Sequence, residues 1–112
     1  MIQLMNYANN EAVATGQTLA WDETPRGYHF LMLDTRAEVW RPITGNAILR
    51  ARTFPPGVEV GSFETQTSTT NRVIFSPSSV HAPFVIALKN QAEQILLQGN
   101  LLGQVSLSAP RQ

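Results

Sequence analysis

The sequence of 112 residues contains no cysteine. That excludes a disulfide framework, a thiolate nucleophile and a cysteine-based metal site, and leaves the redox compartment open. Charge is also scarce. Only 14% of residues are charged, and eight Lys and Arg balance eight Asp and Glu. These cations are scattered along the chain, so nothing favours nucleic acid or an anionic membrane as a partner, both of which select for basic stripes. No apolar run approaches the roughly 18 residues of a membrane-spanning helix, and no signal peptide is visible. Histidine occurs twice, as His29 and His81, far apart and without partners at metal-ligand spacing. The zinc-protease, calcium-loop and nucleophile-elbow patterns are missing, and the isolated glycines form no phosphate loop. Ser76, Ser78 and Ser79 have no spaced His and Asp to activate them. The inventory argues against an enzyme and calls for no cofactor and no metal.

What is present is apolar residue content of 43%, enough for one domain with a single core beneath a surface rich in Gln, Asn, Ser and Thr. Met1–Gly16 reads as an amphipathic helix. Ile2, Met5, Ala8 and Ala12 recur at helical spacing, Met1 and Leu4 widen the stripe, and Gln3, Asn6, Asn10 and Glu11 fall largely on the other side. Gly16 suits a left-handed C-terminal cap. No Ser, Thr or Asp precedes Ile2 as an N-cap, so the helix starts abruptly, as if cut from a longer one.

After Gly16 the apolar period changes from helix to strand. Short strands are expected over Gln17–Asp22, Tyr28–Asp34, Glu38–Ile43, Ala47–Thr53, Val58–Phe63, Arg72–Phe75, Phe84–Lys89, Glu93–Gln98 and Gln104–Ser108. Turn chemistry separates them, at Glu23–Gly27 and at Pro55–Pro56–Gly57 above all. Tyr28–Asp34 has two mostly apolar faces, which marks an inner strand. Glu64–Asn71 has no apolar residue and reads as an exposed loop. One helix followed by seven to nine strands, with no second helix of crossover length, implies an α+β domain. The helix would cover one face of antiparallel sheets in a sandwich-like arrangement.

Candidate functional residues are few. Asp22 and Glu23, with Asp34 and Glu38 nearby, are the one acidic group that could form a carboxylate pair or a weak calcium site. Trp21, Tyr28, Phe30 and Trp40 could line a groove, Trp40 being the most exposed of them by its short-strand context. Trp40 and the uncharged stretch Thr65, Gln66, Thr67, Ser68, Thr69 and Thr70 are the candidate partner-binding residues, since such a polar loop orders readily on a partner.

The order of motifs resembles one family. Asn9–Leu19 (NNEAVATGQTL) is similar to the run that ends the helix in its members. Gly27–Phe30 (G-Y-x-F), Trp40–Pro42, Phe54–Val58 (F-P-P-G-V) and Val73–Pro77 (V-I-F-x-P) follow in order, and a strand like Phe84–Leu88 leads to the closing Gly103–Leu107. The set resembles the minor pseudopilins called protein H of the type II secretion system, within the wider type IV pilin-like family. It departs from them at Ser78–Ser79, where relatives carry glycine, and it lacks their hydrophobic N-terminal segment.

The resemblance implies a single periplasmic domain over 1–112, with 1–16 as the C-terminal half of a spine helix and 17–112 as the β domain. It also implies a processed and methylated subunit, anchored in the inner membrane by the missing segment and built into a periplasmic pseudopilus near its tip. Expected partners are minor pseudopilins I, J and K and the major pseudopilin, with secreted substrates or the secretin as further contacts. Two other readings use the same residues. One is a type IV pilus minor pilin binding DNA through Arg50, Arg52, Arg72 and Arg111. The other is a β-sandwich module binding a ligand through Trp40 and the polar loop.

Overall fold

The computed structural model describes residues 1–65, 72–78, 83–100 and 104–108. Among the described residues a single helix, α1 (Ile2–Thr15), precedes nine strands: β1 (Leu19–Thr24), β2 (Gly27–Asp34), β3 (Val39–Pro42), β4 (Arg52–Thr53), β5 (Glu59–Thr65), β6 (Arg72–Phe75), β7 (Phe84–Lys89), β8 (Gln94–Gly99) and β9 (Val105–Ser108). Every described pairing is antiparallel. One sheet runs β3-β2-β1-β6, with β4 also on β2, and the other runs β5-β7-β8-β9. The α+β class and the helix-on-antiparallel-sheets arrangement expected from the sequence are both present.

Helix α1 forms for the reasons its pattern suggests. Met5, Ala8 and Ala12 are fully buried, and Gly16 closes the helix at φ 69°, a left-handed conformation that costs glycine nothing. The polar side of the helix is not wholly outside, however. Asn9 is buried, and Asn6 reaches β9, its Nδ2 donating to Val105 O at 3.0 Å while its Oδ1 accepts from Val105 N–H at 2.8 Å. One side-chain amide thus takes both outward-facing backbone groups of an edge strand. It fastens the helix to the far end of the chain.

The core lies between the two sheets and the helix. Trp21, Phe30 and Phe75 of the first sheet meet Ile86 and Leu97 of the second, with Met5 from α1, all with at most 1% of their surface in water. Trp21 stacks on Phe63 across the sheets, with ring centroids 6.2 Å apart and planes 7° from parallel. Burial of each such side chain contributes about 1.5–3 kcal/mol. Gly99 makes room for Phe84 opposite it, because a Cβ there would lie 2.0 Å from Cε1 of the ring.

Several expected boundaries move. β1 runs on through Glu23 and Thr24, leaving a two-residue turn at Pro25–Arg26. Ala47–Thr53 is a strand only at Arg52–Thr53, because Asn46 Oδ1 captures the amides of Ile48 and Leu49 and bends the chain there. Val58 lies outside β5, and a bulge between Val60 and Ser62 reverses the alternation. Val60 and Phe63 therefore both pack on the core, although plain strand alternation would put them on opposite faces. Glu64 and Thr65, expected in a loop, complete β5 opposite Val85 and Phe84.

Candidate functional site

The register of the first sheet sorts its side chains onto two faces. Leu19, Trp21, Tyr28 and Phe30 enter the core. Ala20, Asp22, His29, Leu31, Leu33, Trp40, Arg72 and Ile74 share the outer face, since they are register partners or alternate neighbours of one another. Ala20 and Leu31 are nonetheless buried, at 0% and 4% exposure. The guanidinium carbon of Arg72 lies 5.4 Å from the centroid of the Trp40 ring, although β2 and β1 stand between their strands. Three strand spacings are about 14 Å, so the two side chains reach toward each other diagonally over the small Ala20.

The charged end of this contact is fixed in turn. Arg72 Nε donates to Asp22 Oδ1 at 3.1 Å, and His29 Nε2 lies 3.0 Å from Asp22 Oδ2. Counting outward from the turn at Pro25–Arg26 pairs Asp22 with His29, so that half of the cluster was legible in the hairpin spacing. The Arg72 half was not, since its strand lies 50 residues away. The four side chains span all four strands β3-β2-β1-β6 and hold one outer surface in a defined shape, with Ile74 exposed beside them.

The acidic group of the sequence does not converge. Asp22 is committed to Arg72 and His29, whereas Asp34 caps its own turn. Its Oδ1 accepts from the Arg36 and Ala37 amides and its Oδ2 from Arg41 Nε. These bonds, the Ala37 amide first and the Arg41 side chain next, hold the Asp34 carboxyl below its ordinary value. No group of three or more metal-ligating side chains occurs among the described residues. Burial raises the Tyr28 phenol above its usual range, offset in part by Arg52 and Arg50. Those two arginines lie around Tyr28, while Arg72 is engaged with Asp22 and Trp40, so the described contacts do not unite the three.

Of the candidate partner residues, Trp40 is half-buried on β3, in the first sheet. Thr65 ends β5, in the second. No described contact joins them. Gln66, Thr67, Ser68, Thr69 and Thr70 lie outside the described residues, as does His81.

Comparison with known proteins narrows what this architecture belongs to. No curated protein matches the chain. Two solved structures of the minor pseudopilin EpsH from the type II secretion system of Vibrio cholerae share its fold with a TM-score of 0.78. One is 20% identical, covering 99% of this chain and 92% of that one, and the other is 18% identical, covering 98% and 91%. The family of the type II transport protein GspH matches residues 1–103. With its helix, its two sheets and that match over nearly its full length, the chain belongs to the GspH family of type II transport proteins.

Proposed function

We propose that the chain is a minor pseudopilin of the type II secretion pseudopilus, placed at or near the tip, where it supports assembly and the export of folded proteins through the outer membrane. The observation that carries this reading is the family match over residues 1–103 together with a helix whose Met5, Ala8 and Ala12 face is spent on its own sheets. In this reading the domain is periplasmic and non-enzymatic. Its partners are the other minor pseudopilins and the major one, met in part through Trp40 and the stretch Thr65–Thr70. The braced outer face around Trp40 supports that assignment. A rigid, half-exposed aromatic contributes contact area without losing much conformational freedom on binding.

The DNA-binding alternative gains nothing from the geometry, because Arg72 already serves Asp22 and Trp40. Deletion of the gene in its host, followed by measurement of exoprotein in the medium, tests the proposal. Secretion is expected to fall and to return on complementation, and the protein is expected to co-purify with other pseudopilins. Normal secretion by the deletion strain, with no co-purifying pseudopilin, would refute it.

A further inference from the structure

A cleft of about 710 Å³ opens at the end of the molecule where α1 begins, between the turns of the two sheets. Its walls are the β1–β2 turn with Arg26, the connection Thr53–Glu59, and the β7–β8 turn with Lys89 and Asn90. The floor is apolar, made of the half-buried Phe54 and Val58 with Pro55 and Pro56. The two prolines contribute no N–H to the cleft.

The rim, by contrast, is rich in free donors. Arg26 is exposed, and its guanidinium has no side-chain partner among the described residues. Asn90 Oδ1 accepts from the amides of Ala92 and Glu93 at 2.8 and 2.7 Å, which fixes the side chain and leaves its NH₂ as the free end. Lys89 Nζ stands 3.6 Å from Glu59 Oε1, with both side chains at least half in water, so that pair contributes little and exchanges readily. Glu59 is the one carboxylate on the lining. An apolar floor beneath unfilled donors fits a partner that brings acceptors of negative charge on an apolar frame. A concavity of this volume suits a few side chains of a protein segment better than a flat bilayer surface.

We propose that this cleft docks an acidic, apolar-flanked segment of a neighbouring pseudopilin, an inference that rests on the assembly reading above. The test is site-specific photo-crosslinking of the full-length protein in secreting cells. A photoreactive amino acid is placed at Gln91, on the cleft, or at Thr35, at the opposite end of the sheet, and the captured peptide is identified by mass spectrometry.

From position 91 the expected product joins a pseudopilin through a segment carrying Asp or Glu beside apolar residues. Combining Arg26→Glu with Lys89→Glu, both exposed, should lower that yield about ten-fold and leave the yield from position 35 unchanged. The far-ultraviolet circular dichroism of the double variant checks that it folds. Capture through a basic or purely polar segment, capture of lipid, or a yield indifferent to the charge reversal overturns the cleft assignment alone. Failure to capture any pseudopilin from either position overturns the assembly reading, and the cleft with it.

Discussion

Replacing Asn6 with alanine tests how the helix is held to β9. In the native chain its amide makes two hydrogen bonds with Val105, of 2.8 and 3.0 Å, across 99 residues of sequence. Each such bond contributes about 0.5–1.5 kcal/mol net, and a buried group left unpaired costs about 1–3 kcal/mol. The site is part-buried, so water recovers some of that loss, and the two groups together are expected to cost about 2–3 kcal/mol. Alanine is the better helix former by about 0.5 kcal/mol, which brings the net destabilisation to about 2 kcal/mol. For a domain of this size that lowers Tm by about 8 °C.

Asn6→Asp keeps the acceptor for Val105 N–H but sets a carboxylate against Val105 O, so its loss should equal or exceed that of alanine. Asn10→Ala, an exposed position on the same helix, is the control and should stay within about 0.5 kcal/mol of the parent. Urea unfolding followed by circular dichroism gives the energies, and hydrogen exchange at the Val105 amide reports the contact itself. If Asn6→Ala matches the Asn10→Ala control in stability and Val105 exchanges no faster, the clamp is not what holds α1 to β9.

Three further outcomes follow from local geometry. Gly99→Ala places a methyl carbon 2.0 Å from the ring of Phe84, which is 5% exposed and has no room to swing out. The cost should be about 2–3 kcal/mol, and Phe84→Leu in the same chain should return part of it, as a double-mutant cycle by thermal unfolding will read. Asp34, with its folded pKa lowered, contributes stability that is present above its unfolded pKa, near 3.9, and is lost as pH falls through the folded value. Asp34→Asn should therefore flatten the acid limb of stability against pH below about pH 4, with the carboxyl titration followed by NMR. Glu38 holds φ 55° without being glycine, so Glu38→Asn, which tolerates that region better, should raise stability by about 0.5–1 kcal/mol in calorimetry.

What could be read from the sequence was whatever is encoded by neighbours. The 3.6-residue recurrence of Ile2, Met5, Ala8 and Ala12, stopped by Gly16, defined α1 to within a residue. Arg72–Phe75 and Phe84–Lys89 came out at their observed bounds because β-branched and aromatic residues fill them. The two apolar faces of β2 were visible, yet not their reason. One face enters the core, and the other belongs to an outer face on which Trp40 of β3 and Arg72 of β6 meet across three strand spacings.

The readings that failed share a cause. Asn6 looks solvent-facing because its partner, Val105, is 99 residues distant. Ile48 and Leu49 alternate with arginines as a strand would, but a side-chain oxygen from Asn46 outcompetes the ladder for their amides. The one extra residue between Val60 and Ser62 shifts every later side chain of β5 by one position, so Phe63 joins the face of Val60 and meets Trp21, where plain alternation over Val58–Phe63 would turn it away.

The same limit applies to the surfaces proposed for partners. Trp40 could be named from its short strand, whereas the cleft beside Arg26 could not. Its three walls come from turns more than 60 residues apart in sequence, at Arg26 and Asn90, with the proline connection between them. Local pattern identifies elements. The juxtaposition of loops at the ends of sheets is set by strand order, and that order emerges only when the two sheets close over one helix.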